Sequence, residues 1–192
     1  MAEIKKGKRM KRLIQKKIKK TKENLYYILS ALMIGLIVGG IDALFGRVLI
    51  AITDFRGRYI QILIWFLPIA GLFICWMYHR FNEMSLKGMT LVLETAQGKR
   101  ADIPLALVPL VMVGTWITHL FGGSAGREGV AVQIGATLSH WFARRFKFAD
   151  NRTILLIAGL AAGFGGLFQT PFAAVFFAME VVVTGKMFCR HW

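Results

Sequence analysis

Long apolar runs separated by short polar stretches dominate the chain, and the few ionisable residues inside those runs stand out against them. The first run, residues 25–52, is interrupted only by Asp42 and Arg47. It carries Gly35 and Gly39 at the four-residue spacing that lets helix backbones approach closely, and it predicts a long, tilted membrane-spanning helix. Asp42 and Arg47 read either as a buried pair or as an aspartate beside an arginine that reaches the membrane interface. A polar turn is predicted at 54–58, then a second span at 59–78 that contains Pro68 and leaves through His79 and Arg80. A third run covers 105–120, opened by Pro104 and holding Pro109 and, near its end, His119. The helix predicted next, at 130–142, ends before Arg144-Arg145-Phe146-Lys147. It would cover about 20 Å at about 1.5 Å per residue, short of a bilayer core of about 30 Å, so it is expected to be half-spanning. A glycine-containing helix at 153–168 is broken by Gln169-Thr170-Pro171 before a last apolar helix at 172–184, with Glu180 in its middle.

Between the second and third runs the pattern changes. Lys87-Gly88-Met89-Thr90-Leu91-Val92-Leu93 is largely apolar but too short to span, and Glu94, Gln97, Lys99 and Arg100 follow it. It reads as a glycine-led half-helix entering the protein interior, because non-helical backbone at membrane depth is tolerated only where protein or a water-filled cavity satisfies it. The alternative is an amphipathic connector on the cytoplasmic side.

With 56% hydrophobic residues in 192, these runs define an all-α polytopic membrane protein. The net charge of +15 raises nucleic acid as a partner, but eleven of the 25 Lys and Arg lie between Lys5 and Lys22, ahead of the first run and without interleaved aromatics. Such an arm beside a span is predicted to stay cytoplasmic and to rest on anionic lipid headgroups; no nucleic-acid partner is expected. Two spans then return His79 and Arg80 to the same side. Cys75 and Cys189 form neither a disulfide framework nor a metal-ligand spacing, and no metal or cofactor is expected.

Candidate chemistry concentrates in residues 122–135, where Arg127 and Glu128 sit between apolar runs. Glycines at 122, 123, 126, 129 and 135 are expected to let backbone N–H groups line a cavity. A helix start there adds about half a positive charge and several unpaired donors, which suits a dehydrated anion. Glu128 would compete for that place as a tethered anion when ionised and would leave when protonated, so one residue would gate the path and carry a proton. The competing reading is a buried Arg127–Glu128 ion pair that fixes the loop. A phosphate-binding loop is disfavoured, since neither Lys-Ser nor Lys-Thr follows the glycines. An enzyme is not expected either: Glu128, His119 and His140 are the only nearby acid–base candidates, and no His-Glu-x-x-His spacing is present. His119, close to a helix end, fits a local hydrogen bond better than a proton shuttle.

Two segments together resemble the CLC family of chloride channels and anion/proton antiporters. Gly126-Arg127-Glu128-Gly129, followed by Val130-Ala131-Val132-Gln133-Ile134-Gly135-Ala136, is similar to the family's G-[KR]-E-G-P signature and the helix after it. Residues 159–180 resemble its paired helices G-x-A-A-G-F-x…T-P-x-A-x-x-x-F-A-x-E. The resemblance covers roughly residues 25–186. It implies that Glu128 is the external gating and proton-carrying glutamate, and that the anion passes the backbone around Gly126, Arg127, Gly129 and Val130. It also implies a homodimer with a separate pore in each subunit, in a bacterial-type plasma membrane.

Departures from the commoner pattern narrow the branch. Val130 replaces the signature proline, and Gly88-Met89-Thr90 stands where most members have an anion-coordinating serine. A methionine there is similar to the fluoride/proton antiporter branch, although that branch usually has glycine at the position of Thr90. Fluoride/proton antiport is the resulting expectation, with chloride transport of the same family as the alternative; Gly88, Met89 and Thr90 join the implied anion site. The internal proton-transfer glutamate of chloride/proton exchangers would fall at Val181. Family members carry two inverted halves, and this chain resembles the first. The expected organisation is a basic cytoplasmic arm at 1–24, a transmembrane half-domain at 25–185 with tilted, broken and half-spanning helices, and a short tail at 186–192 that reads as a truncation product. An inactive membrane fragment is the further alternative for the chain by itself.

Overall fold

The computed structural model describes residues 2–99, 102–145 and 152–187. Among them all regular structure is helical: α1 (Ala2–Leu63), α2 (Leu67–Phe81), α3 (Met89–Ala96), α4 (Leu107–Leu120), α5 (Arg127–Arg145), α6 (Arg152–Phe168) and α7 (Pro171–Met187), with short 3-10 turns at Ile64–Phe66 and Glu83–Lys87. Most of the tail assigned to residues 186–192 lies outside the described residues.

α1 departs from the sequence reading. It runs unbroken for 62 residues, so the turn expected at 54–58 is helical and the second span does not start at 59. Charge does not terminate a helix when its side chains stay outside. Asp54 and Arg58 are exposed, Arg56 is half-exposed, and the Thr53 hydroxyl donates back to the Leu49 carbonyl at 2.8 Å. The break comes at residues 64–66, where Pro68 occupies the first turn of α2 and disfavours continuation of the preceding helix.

One face of α1 is buried through Ser30, Ile34, Val38, Asp42, Phe45 and Leu49, a helical stripe three to four residues apart. The opposite face exposes Leu25, Ile28, Leu32, Leu36, Leu44 and Ile50. Asn24–Phe81 is long and apolar enough to cross a membrane, whereas Leu107–Leu120, Thr153–Phe168 and Pro171–Val182 are shorter apolar helices. The expected short and broken helices are therefore present, whereas the spans expected at 25–52 and 59–78 fall within one stretch interrupted only at residues 64–66.

The closest packing joins α5 to α6. A Cβ built on Gly135 would stand 2.0 Å from the Gly159 carbonyl oxygen, and one on Gly163 would stand 2.1 Å from the Ala131 carbonyl oxygen. Only glycine permits that approach. Gly135 thus serves helix packing, and its place within α5 contradicts the expectation that it exposes its N–H to a cavity. Around this seam, Leu91, Val92 and Ala96 of α3, Leu107 of α4, Val132 and Ala136 of α5, Leu156 and Leu160 of α6, and Ala178 and Val182 of α7 form one buried cluster. A second cluster joins Phe45 and Leu49 of α1 to Val108, Val111 and Met112 of α4 and to Val130 and Ile134 of α5.

The break between α6 and α7 falls where the sequence places it. Gln169 takes φ +57°, Gln169 N–H donates to the Gly165 carbonyl at 2.9 Å, and Pro171 opens α7.

Candidate functional site

α5 starts at Arg127, not at residue 130 as expected, and its 19 residues span about 28 Å. Helix length therefore does not itself set the depth of the glycine stretch in a membrane. The start matters chemically in another way. The first four N–H groups of a helix lack intrahelical acceptors, and here they belong to Gly126, Arg127, Glu128 and Gly129, with Val130 directly after them. A Cβ at Gly126 would meet nothing within 4 Å, so the space before these donors is open.

Arg127 and Glu128 are both exposed and Val130 is buried. Because both side chains are exposed, the buried-pair reading of this loop does not hold for the described residues.

The second helix start is α3. Gly88 takes φ +49° and ψ −121°, a backbone state open to glycine and strained for other residues, and it turns the chain from the 3-10 segment into Met89. The glycine-led half-helix expected here is present, eight residues long. Met89 is half-buried and packs against the main core cluster, while Thr90 is exposed.

Gln133 connects these two starts. Its side chain lies against the open faces of both Gly88 and Gly129. The residue is 8% exposed, and its Oε1 has no hydrogen-bond partner. An unsatisfied buried acceptor costs about 1–3 kcal/mol, which makes this carboxamide conspicuous. Sequence reasoning passed over it as part of an apolar motif; the available signal was a polar residue one helical turn after Gly129.

Beside the α5 start, a cavity of about 330 Å³ is lined by Thr53 and Arg56 of α1, His119 of α4, Gly122, Gly123 and Ser124 of the loop, and Arg127. Arg56 also donates to the His119 carbonyl at 3.4 Å. The continuity of α1 through residues 54–58 is what brings Arg56 here. His119 holds the Thr115 carbonyl with Nδ1 at 3.0 Å, the local role expected of it.

Lys87, next to the α3 start, pairs with Glu94 at 3.7 Å, whereas Asp42, Asp102 and Glu180 lie apart from the two helix starts. Asp42 is buried against Gly39 and Gly166 with both carboxyl oxygens unpartnered, while Arg47 is exposed, so they do not form the pair considered above. Asp102 pairs with Arg144 and with His140 Nε2 at 3.3 Å where α5 ends. Glu180 is exposed, and Val181 is half-buried on α7.

Two broken-helix starts meet at a shared buried carboxamide, and the described residues, whose regular structure is all helical, carry an apolar exterior: the architecture of a membrane protein built on discontinuous helices. The sequence matches the family described as Voltage gated chloride channel over residues 70–192. This chain belongs to that family, which makes it a multi-pass membrane protein. It is similar to a chloride/fluoride channel protein of Pseudomonas syringae pv. tomato, 36% identical over 156 residues, covering 81% of this chain and 34% of the relative. An H(+)/Cl(-) exchange transporter of Citrobacter koseri is 27% identical over 185 residues, covering 88% of this chain and 38% of the relative. Among solved structures, a CLC-type fluoride/proton antiporter shares 40% sequence identity at a TM-score of 0.77, covering 84% of this chain and 46% of that one. The chain thus spans less than half the length of each.

Proposed function

We propose that this chain forms the first half of an anion transporter that exchanges fluoride against protons. Glu128 acts as gate and proton carrier. The anion passes between the α3 start, at Gly88, Met89 and Thr90, and the α5 start, at Gly126, Arg127, Gly129 and Val130. The observation that carries this reading is the approach of two helix starts to one buried side chain. It supplies positive potential and unpaired N–H donors, to which Arg127 adds its charge at the α5 start. Similarity to a fluoride/proton antiporter supports fluoride as the ion.

In this reading residues 1–24 form a cytoplasmic basic arm on the lipid surface of a bacterial-type plasma membrane, and residues 25–185 form the half-domain. The full transporter is a homodimer with a pore in each subunit and is not an enzyme. Similarity to an H(+)/Cl(-) exchange transporter favours chloride as the second reading.

Fluoride efflux from proteoliposomes tests the role of Glu128. Wild-type efflux is expected to accelerate as pH falls, by at most about tenfold per pH unit, the limit for one titrating site. Glu128→Gln should flatten that dependence. A variant that keeps the wild-type pH profile would remove Glu128 from the mechanism, and chloride efflux faster than fluoride would favour the second reading.

A further inference from the structure

Gln133 carries more than its position in a motif. A Cβ on Gly88 would stand 3.7 Å from its Oε1 and 3.8 Å from its Nε2, and a Cβ on Gly129 would stand 3.8 Å from Nε2. Both glycines therefore leave ordinary van der Waals room on the carboxamide, one from each helix start. The side chain is buried and its oxygen has no donor. The carboxamide meets the α3 start with its oxygen and the α5 start with its nitrogen, so its acceptor oxygen lies at the positive end of α3, where an anion's charge would be favoured. Half a turn about the last side-chain torsion exchanges Oε1 with Nε2, and that torsion is broad and roughly two-fold. The exchange converts an acceptor into a donor.

We propose that Gln133 is an anion ligand at the junction of α3 and α5: its oxygen takes an anion's place at the α3 start, and the carboxamide turns to donate an Nε2 hydrogen when a small anion enters. The inference rests on the anion-transport reading for the chemistry of the ligand, and it adds a residue to that site. Hydrogen bonds strengthen when the acceptor is ionised, and fluoride concentrates its charge in the smallest halide volume. Gln133 therefore bonds a dehydrated fluoride more strongly than a dehydrated chloride.

The probe is sodium fluoride titrated calorimetrically into the purified protein, with fluoride and chloride efflux from proteoliposomes in parallel. Gln133→Met keeps the volume without the donor and is expected to weaken fluoride binding about tenfold, the size of one hydrogen bond to a charged group. Gln133→Glu keeps the shape with a fixed acceptor and is expected to weaken it about a hundredfold or more. The preference for fluoride should fall in the same order. Where Gln133→Met does not fold, Gln133→Asn supplies the comparison. Wild-type affinity and preference in these variants, with efflux still dependent on Glu128, would overturn the ligand assignment and leave the transport reading standing. Gln133-dependent binding without efflux from the full-length transporter would support the ligand and overturn transport. No fluoride binding by the wild-type protein overturns both.

Discussion

Asp102 lies between two partners at the end of α5: Arg144, which bonds its carboxylate, and the largely buried His140. The Arg144 hydrogen bond, ahead of the opposing effect of desolvation, holds the Asp102 carboxyl below its usual pKa, with the Arg144 and His140 charges adding to the effect. A depressed folded pKa contributes stability that is present in full above the unfolded value of about 3.9 and is lost as pH falls through the depressed folded value. Asp102→Asn is therefore expected to lower the thermal midpoint in detergent at pH 7. The difference should shrink progressively below pH about 4. A deficit that stayed constant down to pH 3 would mean that Asp102 acts through packing, not charge. Glu128 and Gln133 show the opposite design. The exposed carboxylate and the buried carboxamide near it lack the partners that pin Asp102, and a group that must move in a transport cycle needs that freedom.

At the scale of elements, the α5–α6 seam is the least forgiving contact. Gly163→Ala would drive a methyl group toward the Ala131 carbonyl oxygen, a backbone atom that yields only if the helices separate. A destabilisation of about 1–3 kcal/mol or more is expected, read as a fall in the thermal midpoint. Gly35→Ala supplies the contrast: nothing lies within 4 Å of the added Cβ, and the helix gains up to about 1 kcal/mol in intrinsic preference. It should leave the midpoint unchanged or raise it. Equal losses in the two variants would contradict the packing account.

Periodicity and breakers made much of this legible in the sequence. Proline at 171 and glycine at 88 impose local backbone geometry, so the α6–α7 break and the α3 start appear where expected. The continuity of α1 was not legible, because Asp54, Arg56 and Arg58 look like a turn until the fold shows that they remain on exposed or half-exposed helix faces. The start of α5 was missed by three residues, since Arg127-Glu128-Gly129 has polar loop composition but helical geometry. Gln133 and Arg56 were missed as site residues for a shared reason. Their importance lies in contacts with α3 and with the 122–127 segment that no local spacing encodes.

For the whole molecule, the apolar exterior sets the environment in which the site must work. The outward face of α1 and the exposed Phe172, Val175, Phe176 and Met179 of α7 are unsuited to water in such number. The chain spans 34% of the Pseudomonas relative and 46% of the fluoride/proton antiporter. The complete anion path in our proposal accordingly draws on a second half besides the α3 and α5 starts, and antiport is an activity of that whole assembly. The most direct measurement sets a fluoride gradient across proteoliposomes and records proton movement with a pH electrode. Fluoride leaving down its gradient should drive protons inward, and Glu128→Gln should abolish that uptake. Fluoride efflux with no proton movement in the wild-type protein would contradict the account.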